Sequence, residues 1–475
     1  MKRSNNSLPC ANFRQQAGMN RRGALVAGAA GFMGLSLASL LAAQKAQSAE
    51  TKSAPASSRP GFGKAKRCIF FLMWGGPSQL DTFDMKPNAP DSVRGSFKPV
   101  STNVPGLQIC EHFQKLNAHA DKLAVIRSLS HTDPAHLSSG HTAVTGQLAP
   151  TPRSDDAPPS AKDSPHLGAL AMKYLSAPNN LPASVILPWK AYHPGAPGGQ
   201  APGQHGGWLG PAYDPLLASG DPNQPNWRIP ALELASGITP QVLDNRFELL
   251  KSLDAQRAML EQSANARRLD GQQHQAIRLL SSPEVRTAFD LDSEPANVRD
   301  RYGRNTHGQC VLLARRLAES GVPLVTINWH NDGKNFWDTH GDNFNRLKNE
   351  LIPSADAALA ALLEDLSSRG MLEDTLIAWI GEFGRRPQIT AANSGREHWP
   401  FCYSGLLAGG GIAGGAVYGA SDNIAAYPTQ NPTAPQDFMA TVLHALGIHQ
   451  DSVLHDRSGR PHNVYGGRPI DSLFT

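Results

Sequence analysis

Two short runs near the C-terminus carry side chains capable of metal or anion chemistry. They are IGEFGRRP (Ile380–Pro387) and GREHWP (Gly395–Pro400), separated by a polar spacer. The first run follows DTLIAWI, a buried-strand pattern, so we expect Glu382 at the carboxyl end of a strand, where open α/β sheets bind ligands. This order of side chains predicts a metal or anion site at this edge, because a carboxylate is followed by arginines and then by a Glu-His pair on the next loop.

Further polar clusters follow other predicted strands. DTFD (Asp81–Asp84), HTDPAHLSSGHTAVTG (His131–Gly146) and HNDGKNFWDTHGDNF (His330–Phe344) each come after an apolar run. Mixed oxygen and imidazole donors suit a divalent metal, with Zn, Ca, Mg, Mn and Fe all open. Two metals about 4 Å apart would clamp a phosphoryl or sulfuryl group. The candidate ligands at these strand ends are Asp81, Asp84, His131, His136, His141, His330, Asp338, His340, Glu382 and His398.

Some of these residues have a purely structural alternative. Asp84 is nearly as well explained as a cap of the turn before Lys86-Pro87. A single histidine of the His131–His141 segment is more often a loop hydrogen-bonder than a ligand. Asp338 and His340 give a stronger signal, because alternating residues of an extended loop point the same way.

The arginines and serines near these clusters also have two interpretations. Arg385 and Arg386 are either surface charges or, as we favour directly after a strand-end carboxylate, at least one anion clamp. Ser138 and Ser139 either cap a helix beginning near Gly140 or lie where that helix binds the substrate's anion, one of them as nucleophile. For either serine taken singly, the capping role is the more frequent one.

The first 49 residues are expected to form an export signal. A basic start containing Arg21-Arg22 leads into an apolar Gly/Ala-rich run, then small residues with a cleavage site after Ala49. This layout is typical of a twin-arginine leader and predicts a periplasmic or secreted protein that leaves the membrane after cleavage. The alternative is a membrane anchor, since the run from Gly23 to Ala43 is about long enough to span a bilayer. Residues 50–65 are then a linker and residues 66–475 one domain.

The net charge and the number of cysteines argue against two classes of protein, nucleic-acid-binding proteins and disulfide scaffolds. The leader holds six of the 44 Lys and Arg residues and none of the 40 Asp and Glu residues, so its removal changes the formal net charge from +4 to −2. That balance gives no case for a nucleic-acid partner. The four cysteines of the mature chain are too few for a disulfide scaffold; one or two disulfides stay open, with buried thiols at least as favoured for Cys68 and Cys402.

Strand and helix patterns alternate along the mature chain. The strand-like runs are Arg67–Gly76, Lys122–Leu129, Ala183–Trp189, Val322–Trp329, Asp374–Gly381 and Tyr403–Gly410. The helical runs are Thr239–Asp270, Cys310–Gly321, Ser354–Gly370 and Thr433–Ile448. This alternation predicts an α/β fold, with a central, mostly parallel sheet flanked by helices on both faces. The Pro/Gly-rich stretch His193–Pro211 is predicted to be a long surface loop, and such loops are often functional.

Seven motifs, in order from about Lys66 to the C-terminus, together resemble those of the DUF1501 proteins. They are MWGGPSQLDTFDMKP, RGSFKPVSTNVPGLQI, HADKLAVIRSLSH, GGWLGPAYDPL, WDTHGDNFNRLK, GEFGRRP and GREHWP. That family is similar to the alkaline phosphatase/sulfatase superfamily, whose fold is a central sheet between helices with metal ligands at strand ends. The resemblance therefore implies an alkaline-phosphatase/sulfatase-like fold.

Site roles implied by this resemblance attach to individual positions. Asp81 resembles the metal-binding aspartate after the first strand, Asp338 and His340 an Asp/His metal pair, and His398 the late metal histidine. Glu382 stands where the superfamily usually has the aspartate of an Asp-His pair. Two departures are visible: Phe383 replaces the histidine of that pair, and His136 stands at the position of the nucleophile.

The function implied is an exported, metal-dependent hydrolase of phosphate or sulfate esters. The predicted metal ligands are Asp81, Asp84, Asp338, His340, Glu382 and His398. The predicted catalytic residues are His136, as a ligand or covalent acceptor, Ser138 and Arg385. The alternative is a non-catalytic envelope protein that binds sulfated glycans or other anions through a degenerate site. The expected partner is thus an anionic ester or a sulfated glycan, with the oligomeric state open.

Overall fold

The structure is a computed structural model that describes residues 59–229, 282–330 and 337–475, together with Val242, Asn245, Leu279 and Leu280. The predicted leader, most of the predicted linker and nearly all of the predicted helix Thr239–Asp270 lie outside the described residues. The described residues belong to one compact unit, Arg59–Thr475.

Sixteen strands are described. They are β1 (Arg67–Met73), β2 (Pro99–Ser101), β3 (Gln108–Cys110), β4 (Leu123–Leu129), β5 (Ser184–Leu187), β6 (Leu216–Leu217), β7 (Leu324–Trp329), β8 (Thr375–Ile380), β9 (Gly384–Arg385), β10 (His398–Trp399), β11 (Tyr403–Ala408), β12 (Ala416–Tyr418), β13 (Ala420–Ser421), β14 (Pro428–Gln430), β15 (Val453–His455) and β16 (Pro461–Asn463). All six predicted strands are confirmed, as β1, β4, β5, β7, β8 and β11.

Nine α-helices are described between and around these strands. They are α1 (Asp91–Arg94), α2 (His136–Thr145), α3 (Leu167–Tyr174), α4 (Pro283–Phe289), α5 (Ala296–Tyr302), α6 (Thr306–Glu319), α7 (Asn343–Arg346), α8 (Ile352–Ser368) and α9 (Pro435–Ala445). A π-helical turn, Leu347–Leu351, joins α7 to α8. Short 3₁₀ turns lie at Leu116–Lys122, Gly207–Leu209, Pro211–Tyr213, Leu291–Ser293, Leu372–Asp374 and Asp471–Leu473.

Eight of the strands form one mostly parallel sheet in the order β12-β4-β11-β8-β1-β7-β5-β6. β1 pairs in parallel with β7 and β8, while β11 is antiparallel to both β8 and β4. Two antiparallel steps leave β4 parallel to β8 and β1. The loops that follow β1, β4, β7 and β8 therefore leave the sheet at the same edge, which is where the polar clusters lie.

Helices cover both faces of the sheet, as predicted. Successive side chains of β1 alternate between two apolar cores. Ile69, Phe71 and Met73 join one core together with residues of α6 and α8. Phe70 and Leu72 join the other, together with residues of α2, α3 and α9. Because β1 is buried on both faces, its sequence is a continuous apolar run rather than an alternating one.

The structure tests the predictions about helix capping by serine and about cysteine pairing. α2 begins at His136 after Ala135, not near Gly140, so neither Ser138 nor Ser139 is its N-cap; the capping prediction was wrong. The four cysteines within the structure are buried free thiols.

Among the described helices, none combines the length and the apolarity needed to cross a membrane.

Candidate metal centre

Four side chains from three segments meet at the sheet edge. His136 opens α2, Asp338 and His340 lie in the loop before α7, and His398 belongs to β10. One donor atom of each residue lies within 4.8 Å of the others. The structure therefore brings together residues that are up to 262 positions apart in the chain.

The closest contacts in this four-residue cluster join nitrogen and oxygen donors. His340 Nε2 lies 2.8 Å from His398 Nε2 and 3.0 Å from Asp338 Oδ1. His398 Nε2 is 3.3 Å from the same Asp338 oxygen, and His136 Nε2 is 3.4 Å from Asp338 Oδ2. Three imidazoles with one carboxylate are a donor set that suits Zn²⁺, and also Mn²⁺ or Fe²⁺.

The other ring nitrogen of each histidine is held by the protein. His136 Nδ1 lies 2.6 Å from Glu382 Oε1, and His340 Nδ1 lies 2.6 Å from Glu397 Oε2. His398 Nδ1 lies 2.8 Å from the carbonyl oxygen of Pro134. Because each partner is an acceptor, each Nδ1 carries a proton, so Nε2 is the nitrogen directed at the cluster, where a bound cation would take the place of a second proton. Metal-binding histidines are oriented in the same way.

This arrangement tests whether a cation fits. Two unprotonated nitrogens 2.8 Å apart, beside a carboxylate oxygen, present lone pairs to one another. Such a contact is repulsive unless a cation or a proton lies among the donors. The donor chemistry of the four residues therefore fits a divalent metal.

The pKa values of His136, Asp338 and His340 also show that the cluster favours a positive charge. Burial alone would lower the pKa of His136, but hydrogen bonds to Asp338 and Glu382 outweigh it and raise the pKa to about 9. Burial would raise the pKa of Asp338, but the Arg385 charge and the three imidazoles hold it well below its usual range. The Asp338 hydrogen bond raises the pKa of His340, while burial lowers that of His398.

Glu382 lies beside the cluster and orients it. Its Oε1 accepts a hydrogen bond from the Gly75 backbone N–H at 2.8 Å as well as contacting His136. Its buried Oε2 has no hydrogen-bond partner in the part of the chain that the structure describes. The structure thus places Glu382 behind His136, so direct ligation by Glu382 stays a prediction.

Arg385 is fully buried and its guanidinium is engaged by the protein. Nε donates to Gly76 O at 3.0 Å, Nη1 to Arg396 O at 3.1 Å, and Nη2 contacts Gly75 O and Asp338 Oδ1. Because every nitrogen has a partner, this geometry favours positioning of Asp338 over the expected role as an anion clamp.

Asp81, expected as the first-strand ligand, lies outside the cluster in a buried ion pair. Arg396 Nε and Nη2 donate to its two oxygens at 2.7 and 3.0 Å. Ser78 Oγ and Asn343 Nδ2 also donate, at 2.7 and 3.0 Å. The guanidinium supplies the positive charge that a metal was expected to supply at Asp81.

Asp84 and Ser138 also lie outside the four-residue cluster. Asp84 receives a hydrogen bond from Lys86 Nζ at 2.9 Å, contacts Ser421 Oγ and forms an ion pair with Arg127. Ser138 Oγ accepts a hydrogen bond from the Ser154 backbone N–H at 3.1 Å, inside the first turn of α2. The metal role of Asp84 and the catalytic role of Ser138 stay predictions.

The other candidate histidines mainly hold loops. His131 Nε2 lies 2.7 Å from the Glu382 carbonyl, and His330 Nε2 lies 2.6 Å from the Tyr192 carbonyl. His141 Nε2 accepts from the Ser164 N–H at 3.1 Å, and burial lowers its pKa to about 4. These contacts agree with the structural alternative for single histidines.

Sequence reasoning missed three groups around the cluster. Trp74, in the strand-like run Arg67–Gly76, is buried and stacks on His136, with ring centroids 5.8 Å apart. Glu397, quoted in the GREHWP motif but given no role, holds His340. Gly75 was also overlooked: its φ is +107°, and a Cβ there would lie 2.2 Å from the Asp338 backbone nitrogen. The signal for Gly75 was the glycine pair at the end of the first strand.

Three hydrolases are among the solved structures whose fold is similar to that of this chain. A sulfatase from Pseudoalteromonas sp. is 14% identical, with a TM-score of 0.34, over 87% of this chain and 72% of that chain. A phosphonate monoester hydrolase from Silicibacter pomeroyi is 12% identical, with a TM-score of 0.36, over 86% and 76%. An alkaline phosphatase from the Antarctic bacterium TAB5 is 11% identical, with a TM-score of 0.34, over 82% and 100%. Likenesses this low carry no argument about activity.

Curated proteins give no match. The sequence model of one family, described as a protein of unknown function (DUF1501), matches residues 65–474. That match covers most of the chain and confirms the resemblance drawn from the seven motifs. The chain therefore belongs to the DUF1501 family.

Proposed function

We propose that this protein is a metal-dependent hydrolase of phosphate or sulfate esters. The observation that carries the proposal is the four-residue cluster, in which three imidazoles oriented through Nδ1 and one carboxylate converge. His136, Asp338, His340 and His398 would hold one divalent cation. When bound, such a cation polarises an ester oxyanion and lowers the pKa of a water molecule.

The surrounding residues prepare the site for that chemistry. Glu382 and Glu397 hold the Nδ1 atoms of His136 and His340, so that Nε2 of each ring is directed inward. Arg385 fixes Asp338 and lowers its pKa, so that the carboxylate stays ionised. Preorganised donors of this kind cost no reorganisation when a substrate binds.

Phe383 forms an apolar wall of the cluster. Its fully buried ring lies 4.5 Å from His398 and 4.9 Å from His136, measured between ring centroids. An apolar wall limits water around the donors and strengthens their electrostatic interaction with a bound charge. Phe383 stands where the resemblance implies a histidine, and among the described residues the possible metal ligands form one cluster.

His136 acts as a ligand in this proposal, not as a covalent acceptor. Its Nδ1 is committed to Glu382, and its Nε2 faces Asp338 at 3.4 Å. With Nδ1–H donating to Glu382 and the Nε2 lone pair directed to the cation, the ring has no lone pair left to attack an ester. Attack by water is therefore the better-supported route to hydrolysis.

The test combines metal content with turnover. Mature protein purified without chelator is analysed for metals, and its turnover of an aryl phosphate and an aryl sulfate is measured with and without chelator. We expect about one divalent metal per chain and turnover that chelator and His340→Ala both abolish. Folded, metal-free protein, or turnover that survives both changes, would exclude this site as the source of activity.

A second candidate is anion binding without catalysis. It is favoured by the placement of Ser138, the expected serine nucleophile, whose Oγ accepts from the Ser154 N–H rather than lying in the cluster. Metal-dependent binding of a sulfated glycan such as heparin, with no turnover of either aryl ester, would support it.

Export through the twin-arginine route completes the proposal. It is supported by the paired arginines and the apolar Gly/Ala-rich run before Ala49. N-terminal sequencing of the mature protein is expected to start after Ala49, and an intact N-terminus would contradict cleavage.

A further inference from the structure

The Pro/Gly-rich loop that begins at His193 lies against the candidate metal centre. The ring centroid of His193 lies 5.3 Å from that of His136, with the ring planes inclined by 36°. His193 is half-buried, whereas His136 is buried. His193 thus stands between a metal-binding histidine and solvent, and none of the roles assigned above uses it.

The loop holds His193 by several backbone hydrogen bonds. Its N–H donates to Gly199 O at 2.8 Å, its carbonyl accepts from the Ala196 N–H at 3.1 Å, and the Gly199 N–H donates to Ala196 O at 2.8 Å. The preceding residue, Tyr192, is bound through its carbonyl to His330 Nε2 at 2.6 Å. His193 is therefore placed by a closed turn that is tied to the end of β7.

The side chain of His193 has a defined proton position. The Gly195 N–H donates to His193 Nδ1 at 3.2 Å, so Nδ1 is an acceptor. In a neutral imidazole the proton then lies on Nε2. The ring therefore carries an Nε2–H donor, and the ring itself is half-exposed beside His136.

A phosphate or sulfate group held by one metal keeps oxygens that need further donors. Arg385, the group expected to supply them, has every guanidinium nitrogen engaged. We propose that His193 contacts the substrate, its Nε2–H donating a hydrogen bond to an oxygen of a phosphate or sulfate group at the four-residue cluster. This inference rests on the proposed function, because the anion is placed there by the metal.

The experiment measures anion binding and turnover in the metal-loaded full-length mature chain. Isothermal titration with inorganic phosphate and with sulfate is done for the wild type, His193→Ala and His193→Gln, with His455→Ala, an exposed histidine of β15, as the control. Metal content is measured for each. We expect His193→Ala to weaken binding of the preferred anion about tenfold or more, and His193→Gln, which keeps an N–H donor, to recover much of it. Metal content should not change.

The outcomes separate this inference from the proposed function. Unchanged anion binding in His193→Ala at full metal content would overturn the role of His193 and leave the metal hydrolase intact. Equal loss in the Ala and Gln variants would overturn hydrogen-bond donation as the cause. A wild-type protein that binds phosphate through His193 yet turns over neither aryl ester would support this inference and overturn hydrolysis. Failure of the metal-loaded wild type to bind either anion would overturn both.

Discussion

His136 and Glu382 form a buried pair, with Nδ1 of the imidazole 2.6 Å from Oε1 of the carboxylate. The two residues are 2% and 1% exposed, and they stand 246 positions apart in the chain. The pair ties the start of α2 to the loop after β8. It also decides which nitrogen of His136 faces the cluster.

Removing the carboxylate at position 382 should weaken metal binding. A partner that orients a metal-binding histidine typically contributes 10- to 100-fold in affinity, so we expect a loss of that order in Glu382→Ala. Glu382→Gln, whose amide oxygen can still accept from His136, should lose less. Competition with a chromophoric chelator measures the affinity. Glu373→Gln, an exposed neighbour on the turn before β8, is the control; equal affinities in all variants would contradict the orienting role.

The four-residue cluster should hold one metal per chain. His340 Nε2 makes the two shortest contacts in the cluster, to His398 and Asp338. His340→Ala should therefore reduce the bound metal to well below one equivalent, whereas His455→Ala should keep it. Elemental analysis after gel filtration gives both values. Two equivalents in the wild type would show that a second site exists.

Asp81→Ala should destabilise the fold without removing the metal. The substitution leaves Arg396 buried and unpaired, which typically costs about 3–5 kcal/mol in free energy of unfolding. Urea denaturation measures the loss, and metal content is measured on the folded variant. Asp91→Ala removes an exposed ion pair with Arg94 and should change stability little. Loss of metal with unchanged stability would instead identify Asp81 as a ligand.

Protonation of His141 should lower the free energy of unfolding in mild acid. Burial lowers the pKa of this histidine from 6.5 to about 4, and its Nε2 accepts the Ser164 N–H. The unfolded chain therefore takes up a proton at higher pH than the folded chain, so stability present above pH 6.5 is lost as the pH falls toward 4. Between pH 7 and pH 5, this histidine is expected to lower the free energy of unfolding by about 2 kcal/mol.

The matched variant for that prediction is His141→Gln, which can keep an acceptor for Ser164 without titrating. Urea denaturation of both proteins, with chelator present, gives the free energy of unfolding at pH 7 and pH 5. The variant should lose about 2 kcal/mol less than the wild type over this interval. Equal losses would mean that His141 does not carry the pH dependence.

The strands of the sheet were predictable because burial on both faces leaves a direct pattern in the sequence. β1, β7 and β8 are predominantly apolar and almost entirely buried, and a polar or glycine residue follows each of them within two positions. Helix starts were harder to predict. α2 begins at His136 after an alanine without a side-chain cap, so the serines that indicated a start near Gly140 were misleading.

The pattern of the sequence indicated which residues follow the strands, because the length of a strand and the polar residues after it are local properties. It therefore indicated Asp338, His340 and His398 together, and the GREHWP motif contained both His398 and Glu397, the carboxylate that holds His340. The pairing of Arg396 with Asp81, 315 positions away, and the contact of Glu382 with His136 rather than with the open site are visible only in the folded chain. Which carboxylate meets a cationic side chain and which meets an imidazole depends on long-range packing of loops, and no local pattern records it.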